Sequence, residues 1–546
     1  MTSIGQAEST SSSLAEFYST DNTNLLSAAG SITAATIISR VLAVGREMIM
    51  SGYFGAGYYT DAFNIAFRIP NLLRDLFAEG ALSSAFVPTL VRRLTEKGKE
   101  EAWLLASRVT NALAIVLSAI TLLFYFGARW FVFLFAGDLS SSPGKFELTV
   151  QMTRIMSPFL LCVALAAAVM AMLNASGKFF VPAMAPSAFN ICSILAGVFL
   201  SPLMPGLGLA PVVSMAIGAL VGGASQFLIQ VPSAYRLGFR FRPLVDFGDP
   251  GVRQIAMLML PALVGLSATQ VNIAVDTHLA SHFGNGPVSY LNYAFRLIQL
   301  PIGLFAVAIA TSSLAAVSFH AARNHIGKLS RTVTSSLRLA ACLTFPATVG
   351  LILFRHEVVA LLYQRGKFLP ADTELTSQAL LFYSLALFAY SGVKILVPTF
   401  YALSDTKTPV RLSVATVGVK IGLNFLFIGA LGFLGLALAT AVASWFNLVL
   451  LTRSFSRRTG VQWGWGELWI YLRVVCASLI MGSAALLAYY GALRVFPSNG
   501  TLGLLLHLGI AIGVGMASIL PLLRLVQVDE ARQLSQIVLR AAGKLL

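Results

Sequence analysis

Charge is what this sequence has least of. Only 11% of its 546 residues are Asp, Glu, Lys or Arg, while 57% are hydrophobic. Soluble domains carry about 25% charged residues, and with a mean hydropathy of +0.79 the chain is not an ordinary soluble protein. Cysteine is also scarce. Cys162, Cys192, Cys342 and Cys476 all fall in apolar stretches without pairing or metal-ligand spacing. They read as small buried hydrophobes, which excludes a disulfide framework. Six histidines are scattered, and although His278 and His282 are spaced i,i+4, no third ligand accompanies them. No metal or cofactor site is expected. No Walker, HExxH or GxSxG motif is present, so no enzyme is expected. The first 24 residues hold Glu8, Glu16 and Asp21 but no Lys, Arg or apolar core. They read as a disordered cytoplasmic tail, not a signal peptide.

What is present is long apolar runs. A bilayer span takes roughly 20 mostly apolar residues. Fourteen candidates lie near 25–51, 61–91, 103–136, 148–174, 179–203, 207–235, 254–283, 288–318, 330–354, 375–403, 409–430, 432–453, 469–493 and 502–525. The fold class is therefore an all-α polytopic membrane protein. Basic residues cluster after even-numbered spans: Arg92, Arg93, Lys97 and Lys99; Arg236, Arg240, Arg242 and Arg253; Arg323, Lys328 and Arg331; Arg453, Arg457 and Arg458. Loops after spans one, five, seven and eleven have none. The positive-inside rule then predicts cytoplasmic N- and C-termini. The net charge of +16 comes from these loops and from arginines within spans, so nucleic acid is not the expected partner. Residues 527–546 mix apolar and charged positions at helical spacing, as a surface-lying amphipathic segment does.

The chain also repeats itself. Asn64, Ala66, Phe67, Arg68, Leu72, Leu76, Phe77, Ala78 and Ser84 match Asn292, Ala294, Phe295, Arg296, Leu300, Leu304, Phe305, Ala306 and Ser312, at a constant offset of 228. Phe-Gly-x-Gly precedes each copy, at Phe54–Gly57 and Phe283–Gly286. Each repeat would hold six spans, giving lobes over 25–250 and 251–455 in the same orientation, with the substrate path between the halves. Spans thirteen and fourteen, 456–526, lie outside the repeat.

Ionisable residues stand where lipid should be, and each costs roughly 2.5–3.5 kcal/mol at a bilayer centre. Span one has Arg40, Arg46 and Glu47; span two has Asp61, Arg68, Arg74, Asp75 and Glu79; span seven has Asp276, span eight Arg296, span ten Lys394 and span eleven Lys420. At about 100° per residue, Asp61, Asn64, Arg68, Asp75 and Glu79 share one stripe of span two, kinked at Pro70. For the carboxylates, helix-gluing ion pairs and a cavity lining are equally good readings. The arginines outnumber nearby carboxylates, and Arg grips phosphate bidentately and stays protonated when buried. They predict a cationic cavity for a phosphate or pyrophosphate. Asp276, Lys420 and Asn424 make either an internal charge pair or part of a coupling-cation site. If Asp276 and Lys420 are neighbours, Coulomb repulsion keeps Na⁺ away.

One long polar block carries a resemblance: Ser39-Arg40, Gly45-Arg46-Glu47, Phe54-Gly55-Ala56-Gly57, Thr60-Asp61-Ala62-Phe63, Phe67 through Arg74, Phe77 through Ala81 and Ala85 through Pro88. Gln270, Asn272, Tyr293 through Leu297 and Asp405 through Pro409 extend it. The chain resembles the MurJ/MviN lipid II flippase family over about 25–525. The resemblance implies a fourteen-helix member of the MOP exporter superfamily in a bacterial inner membrane. The implied substrate is lipid II, an undecaprenyl-pyrophosphate-linked disaccharide pentapeptide. It also implies that Arg40, Arg46, Arg74 and Arg296 line the central cavity, with Ser39, Asp61, Arg68, Asn71 and Glu79 in the same region. The last two helices would hold the lipid tail. Three residues depart from the family pattern: Glu47 for the usual Asp, Phe295 before Arg296, and Lys420 in place of an uncharged residue. A monomer embedded in membrane lipid, coupled to the membrane potential or an ion gradient, is expected. The rivals are another MOP-type polysaccharide-lipid flippase, a drug/cation antiporter, a lipid-linked glycosyltransferase and a scaffold. An antiporter cavity would be acidic, a glycosyltransferase would need a long carboxylate-bearing loop, and a scaffold needs no internal arginines.

Overall fold

The computed structural model describes residues 22–74, 82–137, 142–461, 463–497 and 500–527, with Leu139 and Glu530; the side chains of 22–33, 73, 83–84 and 260–269 fall outside that description. The expected terminal tail, Asp75, Glu79 and most of the C-terminal segment therefore lie outside it. The described residues are helical with no strand. In chain order the helices are α1 Asn22–Phe54, α2 Tyr58–Arg74, α3 Leu82–Phe126, α4 Ala128–Ala136, α5 Lys145–Met156, α6 Phe159–Ala175, α7 Phe180–Leu195, α8 Val213–Leu228, α9 Val231–Arg236 and α10 Pro250–Ser281. There follow α11 Pro287–Pro301, α12 Val307–Ala322, α13 Ile326–Leu353, α14 Arg355–Tyr363, α15 Pro370–Ser384, α16 Leu387–Ala402, α17 Lys407–Leu431, α18 Leu434–Thr459, α19 Trp465–Val495 and α20 Thr501–Leu525.

Among the described residues, ten helical stretches are long and apolar enough to cross a membrane, or eleven if the pair α15–α16, bent by 45°, counts as one span. The protein is thus a multi-pass helical membrane protein. The expected spans at 25–51, 61–91 and 254–283 each include residues outside the description, and that count does not reach them. The expected loop at 92–99 is different: helix α3 runs through it, broken only at Gly98, whose φ of 83° lies in the left-handed region. Arg92 and Glu96 pair i,i+4 there at 2.8 Å, which favours helix over loop. A short unpredicted helix, α14, follows span nine.

The contacts divide the chain into two compact units. One comprises Met1–Met50, Ala66–Val132 and Glu147–Leu266; the other comprises Ser51–Ile65, Phe133–Phe146 and Ser267–Leu546. In the first, the Ala-rich helix α6 is buried at most positions and packs on α3 and α8. Small residues set these distances. A Cβ on Gly223 would meet Phe159 at 2.6 Å, and one on Gly218 would meet Ala196 at 2.6 Å, the close approach typical of membrane helices. In the second, Tyr293, Tyr363, Phe368, Leu380 and Leu436 form a core between α11, α15 and α18. Helices α19 and α20 pair with each other, and α19 packs on α13, where Gly482 meets Val349 and Leu353. Cys342 is buried and Cys162 and Cys192 are half-buried, but Cys476 is exposed. It shares the open apolar face of α19 with Leu472, Leu479 and Ile480.

Candidate functional site

Helix α11 begins at Gly286, with Pro287 in its first turn and no cap of its own. The first N–H groups of a helix need acceptors. Asp61, from α2, supplies them. Its carboxylate accepts from Gly286 N at 2.7 Å, Ser289 N at 2.8 Å and Ser289 Oγ at 2.5 Å. The positive end of the helix dipole favours a carboxylate there. Gly286 adopts φ 115°, and a Cβ on it would strike Tyr290 at 2.6 Å, so glycine is required at this turn. A fourth donor completes the cluster. Lys145, the first residue of α5, donates to Asp61 Oδ2 at 3.0 Å, Asn285 Oδ1 at 3.0 Å and the Gly284 carbonyl at 3.3 Å. Lys145 is 1% exposed and Asp61 fully buried. One turn further along α2, Asn64 accepts from Asn292 at 2.7 Å, and Tyr293 Oη donates to the Gly55 carbonyl at 3.2 Å. All these residues belong to the second unit.

Nothing in the sequence pattern singles out Lys145 as a buried ion-pair partner. At the edge of span four it reads as an interfacial anchor. The available signal was its position after an odd-numbered span, against the trend of basic residues.

The predicted arginines have different surroundings. Arg40 is exposed and carries no ion pair among the described residues. Arg46 donates to Glu47 at 2.7 Å, both side chains being about one-tenth exposed (12% and 11%), and its guanidinium lies over the Phe189 ring at 5.2 Å. Nearby, Asn190 donates to the Ser39 carbonyl at 3.2 Å. Arg68, Asn71, Arg74 and Arg296 are half-buried. The Asn71 amide oxygen is buried without a partner among the described residues. Phe295 packs edge-on against Tyr383 and Tyr390 at 5.4 and 6.2 Å.

A second buried cluster joins α10 to α17. Lys420 Nζ lies 2.5 Å from Asp276 Oδ2, and Asn424, one turn on, donates to Oδ1 at 3.0 Å. Asn424 is fully buried and Lys420 almost so. The first unit has its own knot. Asp249 caps α10 through Gly251 and Val252 N and accepts from Arg93 and Arg108 at 2.9 and 2.5 Å, while Asn111 holds the carbonyls of Arg242 and Leu244. No metal-competent group of His, Cys, Asp and Glu occurs among the described residues. The rings of His278 and His282 pack edge to face at 4.8 Å.

This arrangement has relatives. The family model described as "Lipid II flippase MurJ" matches residues 50–510. The chain belongs to the MurJ lipid II flippase family. The similarity runs nearly end to end. A probable lipid II flippase MurJ of Vibrio cholerae serotype O1 is 36% identical over 521 residues, covering 94% of this chain and 98% of the relative. The lipid II flippase MurJ of Burkholderia cenocepacia is 34% identical, covering 84% and 89%. Among solved structures, a lipid II flippase MurJ in an inward closed conformation aligns with a TM-score of 0.74 at 29% identity, covering 89% of this chain and 97% of that one. An inward-facing MATE-family transporter of the MOP superfamily aligns at 0.65 with 15% identity over 77% of this chain and 94% of its own, a likeness of fold. MurJ membership makes the chain a transporter and not an enzyme.

Proposed function

We propose that this chain is a lipid II flippase of the bacterial inner membrane. It carries the undecaprenyl-pyrophosphate-linked disaccharide pentapeptide from the cytoplasmic to the periplasmic leaflet by alternating access. The observation that carries this reading is family membership over 50–510, with named flippases covered almost completely.

The pyrophosphate is held by Arg40, Arg46, Arg74 and Arg296, with Ser39, Asp61, Arg68, Asn71 and Glu79 completing the path. Interior arginines support an anionic substrate, because Arg stays charged and binds phosphate bidentately. Fourteen spans form two six-helix lobes, 25–250 and 251–455, and 456–526 guides the prenyl tail. Both termini are cytoplasmic and the protein acts as a monomer in membrane lipid. The Asp61 cluster keeps the periplasmic side shut, and opening outward requires Asp61 to release Ser289 and Lys145. Each charge moved through the field is worth about 2.3 kcal/mol per 100 mV, so the membrane potential can drive the cycle. The closeness of Lys420 to Asp276 supports an internal charge pair there in place of a Na⁺ site.

Complementation tests the proposal. The chain is expressed in a bacterium depleted of its own lipid II flippase, beside Arg40→Ala, Arg74→Ala and Arg296→Ala at matched membrane levels. Rescue by the parent chain and failure of the variants is expected. Rescue by every variant would remove the arginine assignment but keep the function. Failure of the properly inserted parent would redirect the search to another lipid-linked sugar.

A further inference from the structure

The first three turns of α13 carry Gly327, Ser330, Arg331, Thr334, Ser335 and Arg338, spaced i, i+3, i+4, i+7, i+8 and i+11. That spacing is one face of a helix, and it is polar throughout on a helix apolar enough to span a membrane. Ser330 and Arg338 on this face are held against protein, while Arg331 is exposed. The face lines a cavity of about 410 Å³ closed by Thr459–Val461, after α18, and by Glu467 in the first turn of α19. The cavity sits where α13 and α19 begin and α18 ends, next in sequence to the basic stretches 323–331 and 453–458; the orientation proposed above puts that end on the cytoplasmic side.

The donors in it outnumber the acceptors. Arg338 is anchored, bidentate to Glu467 at 2.5 and 3.0 Å, with a Glu530 oxygen 3.7 Å away. The exposed Arg331 guanidinium has no carboxylate partner among the described residues. Ser330 is only 4% exposed, yet its hydroxyl has no hydrogen-bond partner among the described residues. A buried hydroxyl without a partner costs free energy, and Ser330 is one of the residues that line the cavity. An exposed guanidinium without a carboxylate of its own, set among hydroxyls, calls for an acceptor-rich anionic ligand.

We infer that this cavity binds the phosphodiester of an anionic phospholipid from the cytoplasmic leaflet, held by Arg331 and the Ser330, Thr334 and Ser335 hydroxyls. Guanidinium pairs bidentately with phosphate oxygens, and the volume suits a small polar head. A head group bearing sugars and peptide is too large for it. The site is separate from the proposed transport path and stands independently of the transported substrate.

Native mass spectrometry of the full chain tests it, after exchange into phosphatidylglycerol or phosphatidylcholine. One phosphatidylglycerol is expected to be retained, with roughly tenfold preference over phosphatidylcholine. Arg331→Gln should abolish that preference and Arg331→Lys keep part of it. Arg453→Gln, an exposed arginine outside the cavity, should leave it intact. Arg331→Gln should also melt at the parent's temperature in phosphatidylcholine and still complement flippase depletion, since Arg331 holds no ion pair among the described residues. Equal retention of both lipids, or a preference indifferent to Arg331→Gln, would overturn the inference. So would retention of undecaprenyl diphosphate alone, which would give the cavity to the transported lipid.

Discussion

Asp61 and Ser289 stand 228 residues apart, the offset of the internal repeat, and the carboxylate of one accepts both the backbone N–H and the hydroxyl of the other. The capping side chain of α11 thus comes from the corresponding turn of the other repeat. Helix α11 cannot complete its first turn without α2, so the two repeats are joined through a backbone requirement and not only through side-chain contact.

Lys145 and Asp61 form the buried charge pair in that joint. Losing one partner of such a pair costs about 3–5 kcal/mol, because the other charge stays buried and uncompensated. Asp61→Asn and Lys145→Met should each lower the unfolding midpoint in detergent. The double variant should lose less than the sum of the two. A strictly additive loss would show that they do not act as a pair.

Lys420 and Asp276 should behave the same way, with a further consequence for ions. Transport by the parent chain is expected to be indifferent to replacing Na⁺ with K⁺ in vesicles with a clamped potential. Lys420→Ala removes the tethered ammonium and leaves the Asp276 carboxylate beside Asn424. That variant should become sensitive to the cation present, at least severalfold in rate. A parent chain that already requires Na⁺ would defeat this account of the pair.

Arg40 and Arg46 should separate when each is changed to Ala. Arg46 is held by Glu47 and the Phe189 ring, so Arg46→Ala should cost stability, about 1–3 kcal/mol. Arg40 is exposed and has no ion pair among the described residues, so Arg40→Ala should melt like the parent while losing complementation. Arg46→Lys keeps the charge but not the planar fork, and should recover only part of the stability.

Asp249 gives a pH dependence outside the membrane. Burial pushes its carboxyl up, but the N–H groups of Gly251 and Val252 and the guanidiniums of Arg93 and Arg108 outweigh that and hold it below its ordinary value. A depressed folded value means stabilisation above the unfolded pKa of about 3.9, lost as pH falls through the folded one. Between pH 8 and 5 this group should contribute a constant amount. Melting measured at pH 7 and again at about 3 should fall more in the parent than in Asp249→Asn. Equal falls would mean that the carboxyl is not responsible.

Much of this was legible in the residues. Long apolar runs, the 228-residue offset and the charged stretch from Ser39 to Arg74 pointed to a helical transporter with a polar interior. Hydropathy sees average composition, so it placed span centres well and breaks poorly. The bends at Gly98, Gly127 and Leu385 depend on single backbone conformations and local packing. The partners of charges were less legible still. Asp61 read equally well as a cavity lining or a helix glue, because its donors come from the starts of two helices, 84 and 228 residues away. Periodicity places a side chain on a face, but it does not say what lies opposite. Asp249 and Lys145 fell in links between spans, where such reasoning looks for orientation and not for contacts.

Asn64 and Asn292 are also repeat counterparts, and they too meet each other. A residue near the axis relating two copies of a duplicated segment faces its own descendant. An amide tolerates this, since it offers both a donor and an acceptor, and Asn has stayed Asn in both copies. A carboxylate does not: two Asp residues in contact would repel or share one proton. Here the duplication has kept Asp in one copy and a hydroxyl-bearing Ser in the other. The chemistry of the meeting point thus dictates which positions of a duplicated membrane protein can remain identical and which must diverge.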